Sequence, residues 1–415
     1  MSKVKVIFIQ PTISHNKGLS FSKKQGWGIP LIKLLKPNLE NYDFEYWQMY
    51  STAKESRSDI VSYNNDGVEL KFFPSRKIYR KPISLLMLSF LNSLIKDFEL
   101  RKDNMIVYVL SQPHVTMTHL LSMTCRNRIP FVAGQNGPRG QPLYKFKFTN
   151  NIIYLFQHFI DWFLVRNFYD KIICLSLGEF KSIEKQHGVS KITYDKYSTF
   201  FRDRNGLDFS KVVQYDRKKM RRDLNLSKDK TYITLVGRYT KLKGLNNTIK
   251  DLVGAVKSIN KLKKVRDVEL LLIGGDKNED MYDFVKSSSA IHLGYLDRET
   301  LMKYLAASDV YLHNLTLPEH HFFAGFGSAP TEALIQGTPV VSTQFYNILG
   351  KKIKKKLGVN PRDYETLEEA IEVILGKIYD SKLMYKISQQ LFDSKKIVDH
   401  HLRLYEYLGK EYNFA

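Results

Sequence analysis

Two cysteines in 415 residues, Cys125 and Cys174, exclude a fold built on disulfides. They lie far apart in apolar surroundings without Cys-x-x-Cys spacing, so two buried thiols in a reducing compartment are expected. Asp-x-Asp occurs nowhere, which removes a paired-carboxylate metal clamp. The histidine pairs His320-His321 and His400-His401 are adjacent and lack the i, i+4 spacing of helical ligands, so no metal site is expected. No apolar run is long enough to span a bilayer: the longest, around Ile83–Ile95, is short and interrupted. Val4–Gln10 is too short for the apolar region of a signal peptide and reads as a strand. Zinc-finger spacing, RNP aromatics and a basic zipper are all missing, so no nucleic acid is expected as a partner. Acidic residues are scarce: 42 stand against 64 lysines and arginines, a net charge of +22.

The length suits two ordinary domains, and 43% hydrophobic residues is a globular content. Strands and helices alternate as in an α/β protein with parallel sheets covered on both faces. In the first half, strands are expected at Val4–Gln10, Phe44–Tyr50, Val68–Phe73, Met105–Leu110, Pro130–Ala133 and Lys171–Leu175. Helices are expected at Ile29–Leu35, from Pro82 to about Phe98, up to Arg126, over Asn151–Phe168 and over Ser176–His187. The alternation restarts after Asp208: a basic helix to Leu224, a strand at Tyr232–Val236, a helix over Leu245–Leu262 and a strand at Val268–Ile273. Then come Ile291–Leu296, a helix over Arg298–Ala307, a helix through Leu375 opened by a capping box of Thr366 and Glu369, and a last helix over Lys395–Tyr412. Ligands of such sheets sit outside the carboxyl ends of the strands. In the first half that points to the loops carrying Gly26-Trp27-Gly28, His114 and Asn136-Gly137 as one wall of a ligand site.

Two stretches of the second half carry chemistry. In Asp309–Thr343 an apolar strand ends, a loop runs through Glu319 and Gly325-Phe326-Gly327, and a helix opens near Ser328 and stops at Gly337 and Pro339 before another strand. Gly325 and Gly327 remove side chains where a ligand would approach backbone N–H groups, and the helix offers its own unpaired donors and positive dipole end. Glu332, one turn in, is placed to accept from a diol such as a ribose, or else is a helix-surface carboxylate favourable to the dipole. Upstream, Gly237-Arg238 and Lys243-Gly244 bracket a loop at the carboxyl end of a strand. Arginine offers a planar fork to two phosphate oxygens and lysine a point charge.

Together the two stretches resemble the donor-binding segments of the retaining glycosyltransferases of glycosyltransferase family 4, which have the GT-B fold. Gly-Phe-Gly, Glu332-Ala333 and Gly337-Thr338-Pro339-Val340-Val341 match that family's pattern in register, as does Gly-Arg, four residues, Lys-Gly. The resemblance implies two Rossmann-like domains facing each other across a cleft that is the active site. Residues 1–205 would bind the acceptor and 206–390 the nucleotide sugar, with 391–415 a helix packing back on the first domain. It implies metal-independent transfer of a hexosyl group, with retention, from a UDP- or GDP-linked sugar to a glycan or lipid-linked acceptor, with no cofactor besides the donor. Arg238, Lys243 and Glu319 would act in catalysis, and Gly237, Gly274, Tyr295, Leu296, Gly325, Phe326, Gly327, Ser328 and Glu332 would line the donor site. Two positions depart from the family. Asn136 stands where a histidine is frequent, and Ala324 replaces the first glutamate of the pair. Either Glu319, His320 or His321 reaches the same place, or sugar specificity is altered, or the chain is a non-catalytic subunit or scaffold.

The charge has its own implication. Arg76–Lys81 and Tyr144–Phe148 mix basic and aromatic residues ahead of apolar segments, as peripheral attachment to the anionic cytoplasmic face of a membrane would require. A Lys-rich composition without specific meaning, or a general polyanion binder, are the competing explanations.

Overall fold

The computed structural model describes residues 3–14, 29–51, 60–65, 67–75, 96, 104–110, 116–126, 128–134, 163, 167–168, 170–173, 208–242, 245–317, 327–343 and 355–414. The chain divides into two compact units, Met1–Gly206 with Ser394–Ala415, and Leu207–Asp393. Each is built on a sheet of its own.

In the first unit the strands are β1 (Val4–Ser14), β2 (Tyr42–Ser51), β3 (Val61–Asn65), β4 (Val68–Ser75), β5 (Met105–Val109), β6 (Phe131–Gly134) and β7 (Lys171–Ile173). They lie in the order β3-β4-β2-β1-β5-β6-β7, and every pairing is parallel except that of β3 with β4. The sequence reading missed β3, whose polar Ser62, Asn64 and Asn65 suit an edge more than a core. Helix α1 (Ile29–Leu35) gives way to a 3-10 turn at Pro37, and α2 (Thr116–Cys125) follows β5. Val6, Phe8, Phe44, Tyr46, Leu70 and Phe72 form one buried sheet face. On that face lies the last helix of the chain, Ser394–Glu411, through Ile397, Tyr405 and Leu408, spaced as one helical stripe. Tyr405 packs against Tyr42 at 5.2 Å between ring centroids, and Tyr412 Oη donates to Asp170 Oδ1 at 2.8 Å. The helices expected over 82–98, 151–168 and 176–187 lie largely or wholly outside the described residues.

The second unit has β8 (Thr231–Val236), β9 (Val268–Ile273), β10 (Ile291–Gly294), β11 (Val310–His313), β12 (Val340–Ser342) and β13 (Gly358–Val359) in the all-parallel order β10-β9-β8-β11-β12-β13. Its helices are α3 (Arg217–Asp223), α4 (Leu252–Leu262), α5 (Tyr282–Ser287), α6 (Arg298–Ala307), α7 (Ser328–Ile335), α8 (Leu367–Leu375) and α9 (Ser381–Phe392); α10 is the Ser394–Glu411 helix of the first unit. Leu252, Ile259 and Ile371 cover one sheet face, and Leu305, Leu334 and Met384 the other. The fold is therefore two α/β units on parallel sheets, consistent with the GT-B class.

Three local expectations need correction. Helix α4 begins at Leu252 rather than Leu245, because Asp251 caps it by accepting from Gly254 N at 2.8 Å and the residues before it are drawn into an extended bridge. The capping box at Thr366 is half formed: its hydroxyl accepts from Glu369 N at 3.1 Å, but the Glu369 carboxylate turns to Glu365 N at 3.0 Å. Helix α9 was not expected at all, although Asp380 caps it through Lys382 N and Leu383 N.

Candidate active site

The carboxyl ends of β8, β9 and β10 are laced together by glycine backbone. Gly237 N donates to Ile273 O at 3.0 Å and Gly274 N to Gly294 O at 2.7 Å. Gly274 has φ +103°, and a Cβ there would stand 2.2 Å from the Gly237 carbonyl oxygen, so no other residue fits without moving the strand ends. The result is a floor of backbone from which side chains are excluded.

Arg238 rises from that floor. Its side chain is exposed and makes no ion pair among the described residues. The loop it sits on is held from both sides: Tyr239 N donates to Glu279 Oε2, Tyr239 O accepts from Met281 N at 2.8 Å, and Lys241 N donates to Asp280 Oδ2 at 3.0 Å. The Tyr239 ring is fully buried beside Gly275 and His292, and burial raises its hydroxyl well above the usual phenol range. A free guanidinium on a fixed backbone is a preorganised anion donor. At the rim, Tyr295 is 88% exposed and Leu296 partly so, which presents an aromatic face next to Gly294.

Between β11 and β12, Gly327 with φ +82° turns the chain into α7. Among the described residues no side chain caps this helix, which leaves its first N–H groups at exposed Ser328 and at Ala329 for a ligand. Thr331 Oγ1 instead donates back to Gly327 O at 2.9 Å. Glu332 is not the helix-surface carboxylate that was one expectation. It is 5% exposed, and burial raises its pKa against the opposing pull of Arg298, whose Nη2 lies 3.1 Å from Oε1. Its Oε2 makes no hydrogen bond among the described residues. A carboxylate oriented by an arginine, with one oxygen open, keeps the capacity to accept from a hydroxyl pair.

Sequence reasoning missed Arg298 and Lys250. The signal for Arg298 was present: a cation at the first position of α6 opposes the helix dipole, so another partner is needed to account for it. Lys250 would have been one more surface lysine on a helix starting at Leu245. Instead its Nζ donates to Val236 O and to Tyr311 Oη, the latter at 2.9 Å, and burial lowers its pKa to about 8. His313, at the end of β11, is held neutral by burial and by the Lys250 charge, and shares a 3.1 Å hydrogen bond with Ser342 Oγ. Lys243, Glu319, Gly325, Phe326 and the acceptor-side Gly26, Trp27, Gly28, His114, Asn136 and Gly137 lie outside the described residues. Among the described residues no three metal-binding side chains converge, and no helix is long and apolar enough to cross a membrane.

Residues 216–386, most of the second unit, match the family described as glycosyl transferases group 1. No curated protein matches the chain by sequence. Among solved structures, the chain is similar to sucrose-phosphate synthase from Thermosynechococcus elongatus, with 14% identity, a TM-score of 0.62 and coverage of 99% of this chain and 100% of that one. It is similar also to Anabaena HepE in complex with UDP-glucose (16% identity, TM-score 0.60, 97% and 100% covered). A UDP-forming α,α-trehalose-phosphate synthase from Burkholderia vietnamiensis gives 11% identity and a TM-score of 0.59, with 97% and 100% covered. The chain thus carries a glycosyl transferases group 1 domain within a fold shared with glycosyltransferases.

Proposed function

We propose that this protein is a retaining, metal-independent glycosyltransferase of family 4, moving a hexosyl group from a nucleoside-diphosphate sugar to a hydroxyl of a glycan or lipid-linked acceptor. One observation carries the reading above the others. The Gly237-Arg238 turn and the Gly327–Glu332 helix start, separate in sequence, both stand at the carboxyl ends of one all-parallel sheet. UDP-glucose in the complex of HepE favours a UDP-linked donor over a GDP-linked one.

The chemistry asked of the protein is modest in parts and large in sum. The bond from the anomeric carbon to the diphosphate breaks, an acceptor oxygen bonds to that carbon on the same face, and the acceptor proton passes to the departing diphosphate oxygen. Negative charge grows on the diphosphate, where Arg238, Lys243 and the open N–H groups of α7 meet it; a preorganised donor of this kind is worth roughly a hundred- to a thousandfold in rate. Glu332, steadied by Arg298, receives the ribose hydroxyls, and Tyr295 offers a stacking face to the base. Glu319, His320 or His321 takes the place of the glutamate missing at Ala324.

The reading is tested by thermal shift and calorimetry with UDP, GDP, ADP and their sugars, followed by transfer assays and NMR assignment of the product anomer. Failure of every nucleoside diphosphate to bind sinks it, and an inverted product removes its stereochemical part. The net charge of +22 adds a surface role: the first unit binds anionic liposomes peripherally at low salt. Equal flotation with neutral liposomes removes that role and leaves the enzyme reading intact.

A further inference from the structure

We propose that Lys250 is a further cation of the diphosphate site, supplying charge at the carboxyl end of β8 beside Arg238. The inference rests on the nucleotide-sugar reading above and adds a residue to it.

The segment that carries Lys250 is clamped across the exit of β11. Lys250 and Leu315 form an isolated antiparallel bridge, Asp251 N donates to Asn314 O at 2.9 Å and Thr316 N to Ile249 O at 3.0 Å, and Thr316 Oγ1 donates to Thr248 O at 2.5 Å. Asn247 closes the turn, its Oδ1 accepting from Thr248 N, Leu252 N and Val253 N. The clamp fixes where the lysine reaches. Its ammonium donates to the carbonyl of Val236, the last residue of β8, and to Tyr311 Oη. Its Cδ lies 3.6 Å from where a Cβ on Gly237 would stand, one residue before Arg238.

An ammonium has three N–H donors, and a carbonyl and a phenol occupy two of them. Neither brings a negative charge, and no carboxylate lies within ion-pair distance among the described residues. A cation drawn partly out of water, as half-buried Lys250 is, is ordinarily met by an opposite charge, because dipoles alone replace little of the hydration it loses. The titratable neighbours do not supply one. Asp251 is engaged by Gly254 N, Asn247 and Asn314 at the start of α4. Tyr311 stays a neutral phenol through burial and the Glu332 charge, and His313 stays neutral through burial and the lysine itself. Glu332 on α7 belongs to Arg298. The diphosphate that arrives at Arg238 is therefore the counter-charge that Lys250 lacks, with a phosphate oxygen accepting its third N–H. Lys250 completes a set of cations of which Arg238 is the exposed member.

The test is calorimetric titration of the full chain with UDP, GDP and ADP between pH 7 and 9, on wild type, Lys250→Met, Lys250→Arg and Arg238→Ala, with a melting curve for each. Wild-type affinity is expected to be greatest below about pH 8 and to weaken above it, as the free lysine loses its proton. Lys250→Met should weaken binding at pH 7 about tenfold or more, the usual value of a hydrogen bond to a charged group, and flatten the pH profile. Lys250→Arg should hold affinity at pH 7 within a few-fold and flatten the profile too, because a guanidinium does not titrate there. A lysine that only pins the strand end would leave the profile unchanged. A folded Lys250→Met that binds like wild type at every pH, while Arg238→Ala binds weakly, overturns the inference and spares the donor site. Should the methionine variant not fold, a Lys250→Arg profile identical to wild type overturns it. If wild type binds no nucleoside diphosphate, the nucleotide-sugar reading falls and takes this inference with it.

Discussion

Lys5 on β1 is buried and Lys250 ahead of α4 is half-buried, each with its ammonium group set against a sheet, and their partners differ in kind. Lys5, 2% exposed, meets the Glu45 carboxylate, which also accepts from Trp47 Nε1 at 2.8 Å and pairs with Lys71 at 3.0 Å. Lys250 meets a carbonyl and a phenol. The first arrangement is closed: charge, hydrogen bonds and packing are satisfied within the protein. The second has two of its three N–H donors placed and is open in charge. Arg238 is the exposed counterpart of the second kind, a cation without a carboxylate on a loop fixed by Glu279 and Asp280. Closed charges belong to stability and open ones to ligands, and each half of that statement can be broken separately.

The largest effect is expected at the closed site. Glu45→Ala leaves the buried Lys5 without its carboxylate and should cost about 3–5 kcal/mol in urea unfolding, with nucleotide affinity of the folded protein unchanged. Burial alone would raise the Glu45 pKa, but Lys5, Trp47 and Lys71 hold it below the ordinary 4.5. The folded pKa is thus the lower one, so this stabilisation is present above the unfolded value and is lost as pH falls through the folded value. A loss below about 1 kcal/mol would mean that Lys5 is stabilised by something other than this pair.

Arg238→Ala should do the reverse. Its side chain is exposed and unpaired among the described residues, so unfolding should shift by no more than about 0.5 kcal/mol. Turnover should fall by roughly a hundred- to a thousandfold, since the guanidinium meets charge that develops as the diphosphate departs. A variant with wild-type turnover would place that charge stabilisation elsewhere.

These two sites also differ in how far they could be read from sequence. Arg238 was legible because a glycine, an arginine and the end of an apolar strand give position and chemistry at once. The parallel strands were legible for a related reason: apolar runs such as Ile233–Val236 and Leu270–Ile273 have few other uses between turn residues. Lys250 was not legible. Its role depends on a long-range bridge to Leu315 and on a helix that starts seven residues later than periodicity suggested, and neither is a local property of the sequence. Edge strand β3 and helix α9 escaped for the opposite reason, since short polar or weakly periodic segments resemble loops until tertiary packing fixes them.

Glu332 lies between the closed and open cases: Arg298 satisfies one carboxylate oxygen and the other has no hydrogen bond among the described residues. Glu332→Gln should therefore fold normally and lose about 1 kcal/mol of nucleoside diphosphate affinity, one hydrogen bond's worth. The loss should shrink for the 2′-deoxy nucleotide, which lacks one of the two hydroxyls. An equal loss for both nucleotides would assign Glu332 to holding Arg298 and α6 instead of the ribose.

The smallest expected effect is the one that separates the two lysines most sharply. In the folded protein without ligand the Lys250 pKa is lowered by burial from 10.5 to about 8. Between those values the unfolded chain binds more protons than the folded one, so stability rises with pH across that interval, and below pH 8 the full cost of the buried charge is borne. Lys250→Met removes that cost at pH 7 along with two hydrogen bonds of about 1 kcal/mol each, terms of opposite sign. The variant should accordingly melt at or slightly above the wild-type temperature at pH 7, and lose ground against it by pH 9.5, where the wild-type lysine is mostly neutral. Lys5→Met should behave otherwise, melting lower at pH 7 because it takes a partner away from the buried Glu45 carboxylate. Saturating nucleoside diphosphate should reverse the order at Lys250, since ligand raises the stability of whichever protein binds it more tightly. A drop at pH 7 as large for Lys250→Met as for Lys5→Met would show that the Lys250 charge is already compensated before any ligand arrives.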